Sequence, residues 1–238
     1  MKKLFALLLA GLVSLGATEL KVGTAANYPP FEFIDDQNKI AGFDIDLMDA
    51  LSKKVGFKYQ FVNMNFDGLI VALKTGKINV IASAMSATDE RRKSIDFTDA
   101  YYSTENIYLR KKGNEAIKDK ESLSGKKVGV QLGTVQEMAA KEIKGVNIVP
   151  SEETVTLVLG LKANKIDAVI FDSSIGYGYL KKNPDLEEFH KESDGSEGFS
   201  IAFDKDKNLD LIEKINAALK ELKQDGTYDK LLEKYDLK

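Results

Sequence analysis

Few side chains in this 238-residue sequence could do chemistry. It has no Cys and no Trp, and His190 is its one histidine. That excludes Cys-based zinc sites, thiol catalysis and disulfide frameworks, and leaves Ser-His-Asp chemistry a single possible base. What remains suits recognition: Arg91, Thr134 and Asp172. A guanidinium matches a carboxylate bidentately, free amides at a helix start suit the same anion, and a carboxylate with nearby hydroxyls suits an ammonium. Such a trio could hold a zwitterion by its two opposite charges. Each member also has an ordinary structural reading. Arg91 could be a solvated residue in a first helical turn, and Asp172 could simply cap a helix.

These residues fall where strands should end. Segment 21–25 (KVGTA) reads as a buried strand, and Tyr28-Pro29-Pro30-Phe31 as a rigid loop. Residues 43–55 read as an amphipathic helix, with Ile45, Met48, Leu51 and Val55 at helical spacing and Gly56 as its stop. Residues 66–74 read as another helix, stopped at Gly76, and 78–82 (INVIA) as a buried strand. Thr88-Asp89-Glu90 has the cap and acidic first turn of a helix start. Later the grammar repeats. Lys127-Val128-Gly129-Val130 echoes Lys21-Val22-Gly23-Thr24, and residues 161–167 (LKANKID) echo 73–79 (LKTGKIN).

Two echoes in the same order predict two similar α/β lobes, each a mostly parallel sheet with covering helices. Segment 110–124 reads as the start of the second lobe, and 191–198 (KESDGSEG) as a polar loop that carries the chain back. Residues 208–223 and 228–235 read as closing helices. The expected division is 18–107 for the first part of lobe 1, 108–195 for lobe 2 and 196–238 for the return to lobe 1. Ligands of open α/β sheets bind beyond the carboxyl ends of the strands. Here those ends lead into residues 25–28, into Ser83-Ala84-Met85-Ser86, into Gln131 through Thr134, and into Asp172-Ser173-Ser174.

The chain opens on Met1-Lys2-Lys3, an apolar run over 4–15 and the small pair Gly16-Ala17. This is the three-part pattern of a secretory signal peptide, expected to occupy 1–17 and be cleaved after Ala17. The run falls short of the roughly 20 apolar residues that span a bilayer. No Cys stands at the junction, so lipid attachment there is excluded. The expected product is a soluble exported protein. A net charge of −3 argues against a nucleic-acid partner. Nothing suggests a metal cluster, and no P-loop or dinucleotide fingerprint suggests a cofactor; 129–133 has too few glycines for one.

Read together, Tyr28-Pro29-Pro30-Phe31-Glu32-Phe33, Gly42-Phe43-Asp44-Ile45-Asp46-Leu47, Ser86-Ala87-Thr88-Asp89-Glu90-Arg91, Asp96-Phe97, Tyr101-Tyr102, the run 125–130, Ile166-Asp167-Ala168-Val169 and Asp225-Gly226-Thr227-Tyr228 give a specific match along nearly the whole mature chain. The chain resembles the periplasmic amino-acid-binding proteins of ABC importers, the solute-binding family for polar amino acids. The resemblance implies a two-lobed type II binding-protein fold joined by two crossovers, a monomer that closes on an amino acid, and delivery to an inner-membrane permease. It implies that Arg91 clamps the ligand α-carboxylate, helped by Ser86 and the amide of the Thr134 region. Asp172 then holds the α-ammonium, with Ser83 or Ala84 supplying a carbonyl. Tyr28 and Phe66 flank the ligand side chain, and Gln131 belongs to the same binding set.

The sequence departs from members selective for basic ligands, which often carry an acid in the loop after the first strand. Ala25 stands at that position, Val135 replaces a hydroxyl residue and Ala84 a serine. The expectation is therefore a neutral polar or small amino acid. The alternative is a basic one, with Glu105 or Glu197 reaching the pocket from the hinge side. A second alternative is a periplasmic dehydratase of the cyclohexadienyl type on the same fold, although no second poised acid stands beside Asp172. A free exported sensor feeding a separate chemoreceptor is a third.

Overall fold

Short runs rich in Val, Ile and Phe form the strands, and apolar residues at helical spacing form the helices that cover them. The computed structural model describes residues 19–238; the expected signal segment lies outside the described residues. In chain order come β1 (Leu20–Thr24), β2 (Asn27–Tyr28), β3 (Glu32–Ile34), β4 (Ile40–Ala41), α1 (Phe43–Val55), β5 (Tyr59–Asn63), α2 (Leu69–Lys74), β6 (Val80–Ile81), α3 (Asp89–Arg92) and β7 (Ile95–Phe97). The chain then enters a second sheet through β8 (Glu105–Lys111), β9 (Lys127–Gln131), α4 (Val135–Lys141), β10 (Asn147–Ser151), α5 (Thr154–Lys162), β11 (Ala168–Asp172), α6 (Ser173–Lys182) and β12 (Leu186–Ser193). It returns to the first sheet as β13 (Ala202–Asp204), followed by α7 (Leu209–Gln224) and α8 (Thr227–Lys234).

The first sheet has the order β5-β1-β6-β13-β7 and the second β10-β9-β11-β8-β12; β2, β3 and β4 form a small antiparallel sheet. Each large sheet is more mixed than the sequence suggests. Its first three strands are parallel, and its last two run antiparallel to their neighbours. In both, the fourth strand is the one formed just after the chain crosses over, β13 or β8. The second sheet is apolar on both faces, as a sheet covered by helices on both sides must be. Ile107, Leu109, Val169 and Phe171 pack with α5 and α6, while Tyr108, Val128, Val130 and Ile170 pack with α4.

Other local readings shift slightly. Residues 66–68 form a 3₁₀ turn before α2, and Lys191 to Ser193 complete β12, so the expected polar loop begins only at Asp194. Glu105 to Ile107 already lie in the second sheet, whereas the expected division falls after 107. His190 stands in β12, its ring against Tyr108.

The two echoes have one cause. A Cβ built on Gly23 would lie 2.4 Å from Ile78 Cδ1 and 2.9 Å from a Leu69 methyl. One on Gly129 would lie 2.6 Å from Ile166 Cδ1 and 3.0 Å from a Leu157 methyl. In each lobe, the helix and following turn press an isoleucine onto the glycine of the second strand of the sheet, where no side chain fits. The turns match as well. The amides of Lys77 and Ile78 donate to the Ala72 carbonyl, those of Lys165 and Ile166 to the Gly160 carbonyl, and the left-handed residue is Gly76 in one and Asn164 in the other. Gly23→Ala and Gly129→Ala should each cost about 1–3 kcal/mol through overpacking. Denaturant unfolding checks this, and adding Ile78→Val to Gly23→Ala should restore part of the loss.

Candidate functional site

Three of the four strand ends expected to carry the site, those of β1, β6 and β9, converge on one cleft between the lobes; the end of β11 does not line it. The cleft lining includes Tyr28, Phe66, Ser83, Ala84, Ser86, Arg91, Gln131 and Thr134, and the cavity it encloses is small, about 10 Å3. The lining also includes Ala25, Asn27, Glu32, Val135, Gln136 and Phe199, which the binding set read from sequence lacks.

Arg91 comes from the one-turn helix α3, whose start is capped by Thr88 Oγ1 accepting from the Arg91 amide at 3.2 Å. The side chain is buried rather than solvated, at 5% exposure. Its Nη1 donates to the Ser86 carbonyl at 2.8 Å, and its Nη2 donates across the cleft to the Gly133 carbonyl at 2.9 Å. Its guanidinium lies 5.7 Å from the centre of the Phe66 ring. Burial lowers its pKa to about 10, partly offset by Asp194, and it stays charged. Asp194 sits on the return crossover and accepts a long hydrogen bond from Ser86 Oγ at 3.4 Å.

Asp172 does not line the cleft; it caps α6. Its Oδ1 accepts from the Ser174 and Ile175 amides at 3.0 and 3.3 Å, from the Ser174 hydroxyl and, at 3.3 Å, from Thr104 Oγ1. Its Oδ2 is buried and finds no partner among the described residues. Burial raises the carboxyl to about 6 against the lowering effect of those hydrogen bonds. The cap reading is thus correct for one oxygen and leaves the other unused.

Asn27 ties the lobes at the cleft's other polar crossing. Its side-chain Nδ2 donates to the Glu152 carbonyl at 3.1 Å, and its backbone carbonyl oxygen accepts from Thr154 Oγ1 at 3.3 Å. Gln131 Nε2 donates to the Glu152 carbonyl at 3.2 Å and to Asn27 Oδ1 at 3.4 Å.

Glu32 is the side chain that the linear sequence hides. It starts β3, hairpin-paired with β2, and this folds its carboxylate back over the end of β6 at 1% exposure. Ser83 Oγ donates to its Oε1 at 2.7 Å and accepts from the Ala25 amide at 3.0 Å; Oε2 is buried and finds no partner among the described residues. Behind it Asp44, in the first turn of α1, accepts at Oδ2 from the Ala84 amide and the Tyr101 hydroxyl, both at 2.7 Å. Burial, then the charge of Asp44, hold the Glu32 carboxyl well above the usual carboxylate range, against the Ser83 bond. Burial pushes Asp44 up to about 7 despite its two donors. By contrast, Glu105 pairs with Lys191 and Glu197 with Arg92, and neither lines the cleft.

The chain belongs to the bacterial extracellular solute-binding proteins, family 3, matching that family over residues 20–238. It is 53% identical over 218 residues to the probable histidine-binding protein of Campylobacter jejuni, covering 92% of this chain and 85% of that one. It superimposes on an ancestral arginine-binding protein bound to arginine with a TM-score of 0.85 at 43% identity, covering 91% of this chain and 97% of the other. A structure of an ancestral arginine-binding protein bound to glutamine matches with the same TM-score and identity, covering 92% and 98%. Among the described residues, no helix is long and apolar enough to cross a membrane.

A carboxyl held above its unfolded pKa stabilises the fold least where the unfolded chain is ionised. The contribution is fully present below the unfolded value near 4.5 and is lost as the pH rises through the folded one. Glu32→Gln keeps an acceptor for Ser83 and removes the ionisation. The ligand-free variant should therefore melt higher than the parent at pH 8 and equal to it near pH 4. Calorimetric scans at the two pH values check this, and a gain that persists unchanged at pH 4 would count against it.

Proposed function

We propose that this protein binds a cationic L-amino acid, of the arginine or histidine kind, between its lobes and delivers it to an ABC transporter permease. The carrying observation is Glu32: a buried carboxylate in the cleft wall with a free oxygen and no cation beside it. An uncompensated buried carboxylate is costly, and a ligand guanidinium or imidazolium at Oε2 supplies the missing charge. The expectation of a neutral ligand rests on Ala25, where the first-strand loop lacks an acid. Glu32 supplies a carboxylate to the same cleft from β3 instead, and the alternative of a basic ligand fits better. The relatives named for histidine and arginine support this reading. The glutamine-bound structure supports a neutral polar amino acid as a weaker, secondary ligand.

In this reading Arg91 and Ser86 take the α-carboxylate, and Asp172, covered in this arrangement by Thr104 and Ser174, offers its unpartnered Oδ2 to the α-ammonium when the lobes part to admit a ligand. Tyr28 and Phe66 hold the side chain that reaches Glu32. The Arg91–Gly133 and Asn27–Glu152 bonds bridge the lobes, so a ligand that adds contacts to both favours the closed arrangement over an open one. The protein acts by binding and not by turnover. This rests on the relatives' names as binding proteins and on His190 standing in β12, away from the residues that line the cleft. The family description as extracellular supports an exported, periplasmic site of action.

Thermal melting with each of the twenty amino acids tests the reading. Arginine or histidine should raise the melting temperature most, by the equivalent of about 2.7 kcal/mol at a hundred times the dissociation constant. Glu32→Gln should weaken arginine binding by about 2–5 kcal/mol, the cost of truncating a buried charge pair, and leave glutamine nearly unchanged. Stabilisation by neutral amino acids alone would overturn the cationic assignment. Arg91→Ala should abolish the shift with every amino acid.

A further inference from the structure

Glu32 has a companion that does not line the cleft. Asp44 comes from a different element, α1, and is equally buried at 1% exposure. One oxygen of each is satisfied by a neutral donor: Ser83 Oγ for Glu32, the Ala84 amide and Tyr101 hydroxyl for Asp44. The other oxygen of each, Glu32 Oε2 and Asp44 Oδ1, finds no partner among the described residues.

The groups that face this pair from the packed elements bring no positive charge. Tyr101, from the segment after β7, and Tyr228, from α8, are phenols held neutral by burial. Tyr228 Oη donates to the Tyr101 carbonyl, so its proton is also engaged. No ion pair reaches either carboxyl among the described residues, although Asp46, two residues along α1, pairs with Lys234 at the surface. Arg91 is the buried cation of the cleft, and its two terminal nitrogens are used on the Ser86 and Gly133 carbonyls. Interacting carboxyls buried without a counter-charge cannot both ionise cheaply.

We propose that the Glu32–Asp44 pair holds a proton in the ligand-free protein and releases it when a cationic ligand side chain arrives, so that uptake of the cation is an exchange of charge for charge. The proposal rests on the cationic-ligand reading. The proton leaves the Glu32 carboxyl for solvent, no covalent bond forms or breaks on the ligand, and the ligand cation takes over at Oε2 the charge balance that the proton supplied. Asp44 acts through Glu32. It does not touch the ligand, and as a positioning residue it sets how readily Glu32 stays protonated. A neutral ligand brings no replacement charge and leaves the proton in place.

Isothermal titration calorimetry of the full protein with arginine, in phosphate and in Tris at the same pH near 7, decides the matter, because the two buffers absorb a released proton with different heats. The expected result is a buffer-dependent heat that corresponds to release of up to about one proton per arginine, and an arginine affinity that increases by up to about tenfold for each unit the pH is raised toward neutrality. Glutamine heats should not depend on the buffer. Asp44→Asn removes one of the two causes that keep Glu32 protonated and leaves its burial, so it should bind arginine with a smaller proton count than the parent at the same pH, a change that a purely structural role for Asp44 would not produce. If that variant does not fold, the buffer series on the parent protein still decides. Arginine binding with identical heats in the two buffers overturns the proton exchange and leaves the cationic reading standing. Failure of arginine to bind while glutamine binds overturns both.

Discussion

A carboxylate inside a protein needs a counter-charge, a set of donors or a proton, and the first lobe of this protein is organised around that requirement. The hairpin of β2 and β3 turns Glu32 inward, the start of α1 turns Asp44 inward, and the turn after β6 threads between them. Ser83 gives its hydroxyl to one acid and Ala84 its amide to the other. Ala84 adopts a left-handed backbone, with φ at 40°, to present that amide, a conformation that a residue with a Cβ rarely takes. The acids thus shape the loop that forms one wall of the cleft. The donors available satisfy half of the oxygens and leave one on each carboxyl for something else to meet.

The second lobe supplies the opposite face with carbonyls, amides and a capped helix. Arg91 reaches from the first lobe to Gly133 of the second, where φ of +76° and the close approach of Asp67 leave no room for a side chain. Asn27 and Gln131 converge on the Glu152 carbonyl a short distance along the same seam. The bonds that cross the seam, such as Arg91 to Gly133 and Asn27 to Glu152, are single hydrogen bonds between preformed surfaces, worth about 1–3 kcal/mol net each, the charged one at the upper end. A handful of them holds a closed arrangement without making it irreversible, which is what a carrier that must load and unload requires.

Much of the architecture was legible because it repeats. Gly23 with Ile78 and Gly129 with Ile166 leave the same imprint in two stretches of sequence, and that imprint is a packing contact. Helix α1 was legible from its spacing and its Gly56 stop, although Asp44, in its first turn, is buried with Phe43, Leu47, Met48 and Leu51. Arg91, Ser86 and Thr134 could be placed because strand ends and helix caps are local signals. Glu32 could not. Its importance arises from a two-residue strand folding β3 back on β2, and strands that short carry no periodicity. The reading of Ala25 as a missing acid compared one position along the chain, whereas the cleft accepts a carboxylate from any element that reaches it. Phe199 and Asp194 were missed for a related reason: both lie on the returning crossover, whose partners Ser86 and Tyr102 are about a hundred residues away.

The order of strands in the first sheet also bears on how the molecule comes into being. Strand β7 touches that sheet only through β13, and β13 lies 105 residues after it, beyond the whole second lobe. A chain emerging from its N-terminus can pair β1, β5 and β6, yet β7 has no neighbour until Ala202 to Asp204 arrive. Closing so long a loop is entropically slow to be rewarded. The second lobe carries no such debt to later residues, since β8 to β12 are contiguous in sequence. Assembly should therefore run out of numerical order: the middle of the chain completes first, and the lobe that begins the sequence is finished last.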